Sequence, residues 1–313
     1  MLFKKVAIIG IGLIGSSLAR VLKREKAAEI VSAYDANPEY LAEALALGII
    51  DVAGQSARDA VKDADVVVLS TPVGAYGAIV KEIAPVLKSG AIITDVGSVK
   101  KYAVEQIEQN LSSESGVIVV PGHPVAGTEK SGPAAGFDSL FEGRWYILTP
   151  SERSTPEAVE KISEMWKLAK MKVDTMTAAH HDKVMAAVSH LPHLIAFSIV
   201  GTVADLEGYE QQEIIKYSAS GFRDFTRIAG SDPTMWRDIL LNNKETILEL
   251  IQRFVEDLIA LQRNIRWDEG DKLFSLFSRT QKIRKEVVEA KQDQPEVEKK
   301  ILAELRQENP LAK

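Results

Sequence analysis

The sequence predicts an α/β fold class, with a mostly parallel β-sheet in an N-terminal domain and an all-α C-terminal domain. Short apolar, β-branched runs alternate with helical patterns in the first part of the chain, which is typical of β-α-β units. The strand patterns stop after residue 176, and only helical patterns follow. We therefore predict a first domain over residues 1–176 and a second over residues 177–313.

The first predicted strand, residues 5–9, runs into a glycine-rich turn that opens a helical pattern. The turn has the spacing GxGxxG, which is specific only in this strand-turn-helix context. Its first glycine permits a tight turn, its second lets the backbone approach a pyrophosphate, and its third lets helix and strand pack closely. The helix N-terminus adds partial positive charge. We predict a Rossmann-type domain whose cofactor-binding residues here are Gly10, Gly12, Leu13, Ile14 and Gly15.

An acidic residue follows the second predicted strand at the position expected to bind ribose. Asp35 lies 20 residues after Gly15. A carboxylate there accepts hydrogen bonds from the ribose hydroxyls of NAD and repels the 2′-phosphate of NADP. A plainer interpretation, in which Asp35 starts the turn at residues 35–38, is compatible with this role. We predict NAD as the cofactor.

Four further apolar runs, at residues 65–70, 91–95, 117–120 and 145–149, are predicted strands of the same sheet, and residues 171–176 close the domain. Ligands bind such sheets at the carboxyl ends of the strands. The segments 95–98 and 122–124 should therefore face one crevice, as should Ser70, Thr71 and Pro72, which we assign to the cofactor site.

Composition excludes several functional classes. The net charge is −6, and no basic stretch interleaved with aromatic residues offsets it, so we expect no nucleic-acid partner. The chain has no cysteine, which excludes disulfides and thiolate chemistry. We find no apolar run of about 18 residues and no signal peptide, and we therefore expect a cytoplasmic protein with no membrane partner.

The second domain begins with an apolar stretch around residues 186–200 that has few charges. Such a helix is expected to pack against other helices or a second subunit, which predicts a homodimer and makes this the dimerisation domain. An amphipathic segment covers residues 235–266, and the charged tail 281–313 is expected to form a solvated helix pair broken near Pro295.

His123 is the strongest candidate for catalysis. It is the only histidine of the first domain, and it follows a predicted strand at the ligand-facing edge, between glycines and a proline. A lone histidine is more often structural, but a neutral imidazole at this edge can take or share a hydroxyl proton as hydride leaves the same carbon.

The other four histidines lie within residues 180–193. The pattern argues against a metal site, because such a site would normally recruit a third ligand with supporting carboxylates and no HExxH motif is present, so we predict none. His190 and His193 are three residues apart and share a helix face, so one of them is expected to reach the cleft.

A third segment, residues 218–237, contains the arginines Arg223, Arg227 and Arg237. The planar guanidinium group suits bidentate binding of a carboxylate, so Arg227 or Arg223 could anchor an acidic substrate. The alternative is a surface ion pair with Asp224.

Together these segments resemble the prephenate dehydrogenase family over nearly the whole chain. The motifs are GIGLIGSS at the start, DVGSVK at 95–100, GHPVAGTEKSG at 122–132, SHLPH at 189–193 and GFRDFTRIAGSDPTMW at 221–236. The resemblance implies NAD-dependent oxidative decarboxylation of prephenate to 4-hydroxyphenylpyruvate, with release of carbon dioxide and NADH. The alternative substrate is arogenate, as in arogenate (cyclohexadienyl) dehydrogenases, which would give tyrosine.

The resemblance also implies roles for single residues. His123 would hydrogen-bond the ring C4 hydroxyl, with Ser98 holding the same group, and Arg227 would bind a substrate carboxylate beside His193. The weaker substrate-site assignments are Thr128, Glu129, Ser220, Asp224 and Trp236. Residues 218–220 depart from the glycine-rich stretch of many relatives, which leaves the keto or amino preference open. Inhibition by tyrosine, if present, would act at or near the active site.

Two other interpretations remain open. Another two-domain dehydrogenase would usually carry a catalytic lysine on the interdomain helix, where this chain has Ser189-His190-Leu191-Pro192-His193. A non-catalytic NAD-binding sensor would keep the glycine motif and Asp35 but would not need His123 or Arg227.

Overall fold

The first domain is built around one parallel β-sheet. The computed structural model describes residues 1–205, 216–217 and 219–289. Six parallel strands form the main sheet in the order β3-β2-β1-β4-β5-β6. Their bounds are β1 Phe3–Ile9, β2 Ala28–Tyr34, β3 Val52–Ala53, β4 Val66–Leu69, β5 Ile92–Asp95 and β6 Ile118–Val119. The order reverses between β1 and β4, which opens a crevice at the carboxyl ends of these strands. The predicted Rossmann-type fold is confirmed.

Helices cover both faces of this sheet. They are α1 Leu13–Arg24, α2 Pro38–Ala46, α3 Ala57–Val61, α4 Tyr76–Ile83, α5 Lys100–Glu108 and α6 Pro156–Leu168. Alternate residues of β1 enter different cores, because successive strand side chains point to opposite faces. Val6 and Ile8 pack into one core with α1 and α6, whereas Ala7 and Ile9 pack into the other with α3, α4 and α5.

Three further strands form a separate small sheet: β7 Gly122–Pro124, β8 Trp145–Leu148 and β9 Lys172–Thr175. The expectation that residues 145–149 join the main sheet is therefore wrong, and the last strand of the domain, within residues 171–176, pairs with β8 in the small sheet. Pairing with β5 ends after Val120, since Pro121 has no N–H group to continue the ladder. The chain then runs as β7 antiparallel to β8, which places His123 opposite Ile147.

The second domain is helical throughout the residues that the structure describes. Thr177 caps α7 Ala178–Met185, and a π turn over Ala186–His190 joins it to α8 Leu191–Ala204. The remaining helices are α9 Ser220–Thr226, α10 Pro233–Asn242, α11 Lys244–Arg266 and α12 Gly270–Glu289. The predicted amphipathic segment is thus two helices, which meet at Asn243. Beyond Glu289, the predicted tail with Pro295 lies outside the described residues.

The continuous helical segment Ala178–Ala204 is 27 residues long and apolar enough to cross a membrane by length and composition, with 22% of its most apolar window buried. The expectation that no apolar stretch reaches this length is therefore wrong. The segment nevertheless carries His181, Asp182 and His190, which are buried against the first domain. Its apolar face is partly uncovered in the protomer, as at Ile199 and Val200.

The helical domain docks on the first domain through α7 and α10. Trp236 and Ile239 of α10 are buried in the same core as Tyr76 of α4. Gly74 lies so close to α10 that a Cβ there would come within 2.5 Å of Asp238 Oδ2. The contact lies near the carboxyl ends of the main strands, so the two domains meet at the predicted crevice.

Replacing Trp166 by alanine should destabilise the protein by about 3–5 kcal/mol, because it empties a large site in a close-packed core. Trp166 is fully buried, stacks on Tyr146 at 4.5 Å between ring centroids and meets Phe141 edge-on at 5.1 Å. Urea unfolding measures the change. Leu45→Ala on the exposed face of α2 is the control, with a change of about 0.5 kcal/mol or less. Equal losses in both variants would contradict this packing.

Candidate active site

The glycine turn has the geometry that a bound pyrophosphate requires. Gly10 has φ +95°, and a Cβ there would meet the Ser70 carbonyl oxygen at 2.5 Å. At Gly15 a Cβ would meet the Gly10 carbonyl oxygen at 2.1 Å, so α1 packs directly on the turn. A Cβ at Gly12 would meet no atom within 4 Å, which leaves this part of the backbone open to a ligand. Leu13 and Ile14 begin α1 at the same place.

Asp35 fastens this turn to the end of β2. Its Oδ2 accepts the N–H of Ile11 at 2.8 Å, and its Oδ1 accepts the N–H of Asn37 at 2.9 Å. The second bond is the local turn that the plainer interpretation expected, and the first holds the carboxylate against the glycine turn. The two interpretations of Asp35 are therefore compatible in the structure, and ribose binding stays a prediction.

Ser70, Thr71 and Pro72 follow β4, directly beside the glycine turn. Ser70 donates its N–H to the Ile9 carbonyl at 2.7 Å. Its Oγ is buried and has no hydrogen-bond partner among the described residues. An unpaired buried hydroxyl is costly, so a polar ligand group at this point would stabilise the site. With the open backbone at Gly12, this arrangement fits a dinucleotide.

His123 lies on β7 at the start of a chain of hydrogen bonds. Its Nδ1 is 2.8 Å from Nε2 of His181, and the two rings meet edge-on at 5.0 Å between centroids. Nδ1 of His181 is in turn 2.8 Å from Oδ1 of Asp182. Asp182 also accepts the N–H groups of Lys100 at 2.6 Å and Lys101 at 2.9 Å, at the N-terminus of α5. The chain therefore joins α7 and α5 to β7.

A buried ion pair between Lys100 and Asp95 lies next to this chain of hydrogen bonds. Lys100 Nζ contacts Asp95 Oδ2 and donates to the Gly122 carbonyl at 2.7 Å. Asp95 also accepts the N–H groups of Gly97 at 2.9 Å and Gly122 at 3.2 Å, and the hydroxyl of Tyr76 at 3.2 Å. The pair thus ties the loop that carries Ser98 to the strand that carries His123.

Burial keeps these histidines uncharged at neutral pH. It lowers the pKa of His123 well below the ordinary value, and positive charge on the neighbouring His181 or Lys100 acts in the same direction. Burial also lowers the pKa of His181, although Asp182 opposes the shift. The pKa of His190, which lies beside the Ser98 backbone, falls to about 4, again chiefly through burial. A neutral His123 can accept a proton or a hydrogen bond.

A second group of predicted residues meets where the domains join. His193 stacks on Trp236 with ring centroids 3.6 Å apart. Arg227 donates from a terminal guanidinium nitrogen to Glu129 Oε2 at 3.3 Å. Burial lowers the pKa of His193, and the charge of Arg227 lowers it further. The structure therefore brings Glu129, His193, Arg227 and Trp236 into one region, with an arginine available to an anionic ligand.

The π turn decides where His193 points. In a regular α-helix, residues 181 and 193 would face directions about 120° apart. A π turn winds more slowly than an α turn and reduces this offset. Pro192 favours the irregularity, because it has no N–H group for the carbonyl four residues earlier. His193 Nδ1 binds the carbonyl of Ser189 at 2.8 Å instead of leaving that group unpaired.

For two other predicted residues, Asp224 and Thr128, the structure shows contacts with chain neighbours. The Asp224 side chain is 74% exposed, and its ion-pair neighbour is Arg223 at 3.9 Å, which is the surface pair that the sequence left open as an alternative. The Thr128 hydroxyl is exposed and accepts the N–H of Lys130 at 3.2 Å. The side chain of Ser220 lies outside the described residues, as does Ser218.

Sequence reasoning missed four residues of the network: His181, Asp182, Lys100 and Asp95. The available signals were the pair His181-Asp182 just after the domain boundary and two charged residues inside DVGSVK. In the described part of the chain, no three His, Cys, Asp or Glu residues are grouped as a metal site would need. The histidine-rich segment instead forms hydrogen bonds across the domain contact.

Two family models together match most of the chain. The model described as the prephenate dehydrogenase nucleotide-binding domain matches residues 18–175. The model described as the prephenate dehydrogenase dimerization domain matches residues 177–279.

Two curated relatives are similar over most of their length. A cyclohexadienyl dehydrogenase of Zymomonas mobilis is 42% identical over 90% of this chain and 95% of its own. A prephenate dehydrogenase of Bacillus subtilis is 36% identical over 87% of this chain and 73% of its own.

Solved structures give the same result. Prephenate dehydrogenase of Aquifex aeolicus, in complex with hydroxyphenyl propionate and NAD+, has a TM-score of 0.83 at 37% identity, covering 91% of this chain and 98% of that one. Synechocystis arogenate dehydrogenase has a TM-score of 0.74 at 28% identity, covering 90% of this chain and 99% of that one.

The free energy of unfolding should fall as the pH drops from about 6.5 toward 4. Burial depresses the folded-state pKa values of His123, His181 and His190, so the unfolded state binds more protons in this window. Each such histidine contributes at most about 1.4 kcal/mol per pH unit. Urea unfolding of wild type and His190→Gln at pH 7, 6 and 5 should show a shallower pH dependence in the variant. Equal slopes would contradict a neutral, buried His190.

Replacing Asp35 by serine should let NADP bind. Like charges placed together cost several kcal/mol, so the preference for NAD over NADP should shift toward NADP by at least about tenfold. Kinetics with each cofactor measure the shift. Asp51→Ser is the matched control, since Asp51 also accepts a backbone N–H, from Val31 at 2.8 Å. An unchanged preference in Asp35→Ser would show that another residue distinguishes the cofactors.

Proposed function

Since the chain belongs to the prephenate dehydrogenase family of NAD-dependent oxidoreductases, we propose that it oxidises prephenate with NAD. The products are 4-hydroxyphenylpyruvate, carbon dioxide and NADH. The observation that carries the proposal is the neutral, buried His123, held at the carboxyl edge of the sheet beside a glycine turn that fits a dinucleotide.

Bound NAD supplies the hydride acceptor. In the proposed mechanism, His123 accepts the hydrogen bond of the ring C4 hydroxyl while that carbon loses hydride, and so stabilises the positive charge that develops there. Loss of the ring carboxylate as carbon dioxide then delivers its electron pair to the ring. The hydroxyl proton that His123 takes or shares returns to the phenol oxygen, so no net proton is released. Ser98, beside His190, helps to hold the same hydroxyl.

Arg227 is proposed to bind a substrate carboxylate. Its guanidinium group is 61% exposed and meets Glu129 at 3.3 Å, so an incoming anion competes with a carboxylate already present. His193, which stacks on Trp236, lies in the same region as Arg227. Thr128, Ser220 and Asp224 remain assigned to the substrate site by resemblance alone.

Arogenate is the second candidate substrate. It differs from prephenate by an amino group in place of the side-chain keto group. The Zymomonas mobilis relative named cyclohexadienyl dehydrogenase, at 42% identity, favours it, whereas the relatives named prephenate dehydrogenase favour the first proposal. The mechanism at His123 is the same for both substrates, but the product from arogenate is tyrosine.

A homodimer formed through the helical domain is part of the proposal. The matching model is described as a dimerization domain, and the protomer exposes apolar side chains along its long helices. These include Leu248, Leu258 and Ile259 on α11 and Phe274 and Phe277 on α12. A cytoplasmic location and inhibition by tyrosine at the active site are proposals from the sequence. Tyrosine would compete because it shares the 4-hydroxyphenyl ring of 4-hydroxyphenylpyruvate and differs from it only by an amino group in place of the side-chain keto group.

The decisive experiment is the rate of NADH formation by the purified protein with NAD and either prephenate or arogenate. Turnover of prephenate with little turnover of arogenate supports the first proposal. The reverse preference supports the second, and comparable rates would make the protein a cyclohexadienyl dehydrogenase. Bound NAD with no turnover of either compound would overturn both.

Replacing His123 by asparagine should lower kcat by about 10²–10⁴-fold, the usual contribution of a positioned acid-base group. NAD affinity should not change, because the glycine turn is untouched. Steady-state kinetics and NAD titration measure the two effects. His180→Asn is the control, since His180 is an exposed histidine on the same segment as His181 and should keep wild-type activity. Full turnover in His123→Asn would contradict the mechanism.

A further inference from the structure

We infer that His181 and Asp182 are positioning residues that fix which nitrogen of His123 faces the substrate. The inference rests on the proposed role of His123 and adds two residues from the other domain. They touch neither cofactor nor substrate in this scheme. They act by setting the tautomer and orientation of the His123 imidazole, which contacts the substrate.

The argument starts at Asp182, the far end of the chain. Its two carboxylate oxygens face only donors among the contacts described: Lys100 N–H at 2.6 Å, Lys101 N–H at 2.9 Å and Nδ1 of His181 at 2.8 Å. The two backbone groups are free donors of the first turn of α5, so they cannot change role. Asp182 is therefore an acceptor, and Nδ1 of His181 must carry the hydrogen.

The tautomer of His123 follows from that of His181. A neutral imidazole has one donor and one acceptor nitrogen. With its hydrogen on Nδ1, His181 presents the lone pair of Nε2 to Nδ1 of His123, 2.8 Å away. His123 must then donate from Nδ1, which leaves a lone pair on its Nε2. That nitrogen is the one free to accept the substrate hydroxyl.

The surroundings hold these groups in place. His181 is fully buried and Asp182 nearly so. The backbone carbonyl of Asp182 accepts a hydrogen bond at 2.9 Å from the side-chain amide of Asn243, which lies just before α11. The chain of residues thus runs from α11 through α7 and α5 to β7. Buried side chains with fully used hydrogen-bonding groups have little freedom to rotate, so the orientation of His123 is set before substrate binds.

His181 has a second effect, on the stability of the positive charge that His123 carries during the reaction. When Nε2 of His123 takes the proton, Nδ1–H remains hydrogen-bonded to the lone pair of neutral His181, which favours the charged form; His181 would oppose it only if it were itself positively charged. Among the other ionisable groups facing the pair, Lys100 of α5 and His190 of the π turn disfavour a charge on His123. Asp182 of α7 and Asp95 of β5 favour a charge on His181. No atoms are lost or gained in this step, because the proton later returns to the phenol oxygen.

Two substitutions of His181 separate hydrogen bonding from packing. His181→Gln keeps an acceptor within reach of Nδ1 of His123 but loses the ring. His181→Phe keeps the ring and its edge-on contact but loses the acceptor. We expect His181→Gln to keep most of the wild-type kcat and His181→Phe to lose at least about tenfold, since loss of the group that sets a catalytic tautomer costs up to about 10⁴-fold in serine proteases. KM for NAD should change in neither variant.

The pH profile gives a readout that a packing role would not move. In His181→Phe the charged form of His123 loses its hydrogen bond, so the acid limb of kcat/KM should move to lower pH. In His181→Gln the limb should stay near its wild-type position. A phenylalanine variant with wild-type kcat and pH profile, or a glutamine variant as impaired as the phenylalanine variant, would overturn the inference.

Nitrogen NMR of labelled wild-type protein tests the inference without any substitution. Chemical shifts should show a protonated Nδ1 and an unprotonated Nε2 on His123 at neutral pH; the opposite tautomer would overturn the inference even if a variant fails to fold. This measurement also separates the inference from the proposed function. Wild-type protein that oxidises neither prephenate nor arogenate would refute the function, whereas the tautomer would still report on the hydrogen-bond chain.

Discussion

Lys100 and Asp95 form a fully buried ion pair on which the geometry of the active site depends. Breaking such a pair by removing one partner costs about 3–5 kcal/mol, because the remaining charge is left without compensation. Here the pair also binds both backbone groups of Gly122, the residue before His123. The end of β5, the start of α5 and the start of β7 are thereby held at fixed distances. Ser98 lies in the loop between the first two of these segments, and His123 lies on the third.

The two domains share the site rather than merely enclosing it. The first domain supplies the glycine turn and His123, whereas the second supplies the groups that orient His123 and the arginine proposed to bind substrate. Asp182 shows how closely the halves are joined, since it caps the N-terminus of α5 in the other domain. Movement of the helical domain away from the sheet would therefore disturb the imidazole as well as open the cleft.

The sequence predicted those features that depend on local pattern. The glycine turn, the acid at residue 35 and the alternating strands each leave a signal within a few neighbouring residues. Assignment of β8 and β9 to a separate sheet was missed, because an apolar run predicts a strand without naming its partner. His181 was missed as a partner of His123 because the two are 58 residues apart and meet only through the docking of α7. The resemblance leaves the substrate preference open at residues 218–220, and Ser218 and the side chain of Ser220 lie outside the described residues.

Together with the π turn, the number of residues between His181 and His193 decides how the two side chains are oriented toward the site. His181 and His193 lie on either side of the π turn, and each must reach a different part of one site. Inserting a single residue into the regular α-helical part between them would rotate all of α8 by about 100° relative to α7. Removing one residue while the π turn returns to regular winding would instead leave the two histidines facing nearly the same directions as now. Substitutions along the exposed side of this segment, such as at Val188, can be absorbed locally. An insertion into regular helix cannot, so evolution of this part of the chain is confined to changes that keep the two histidines in the same rotational phase.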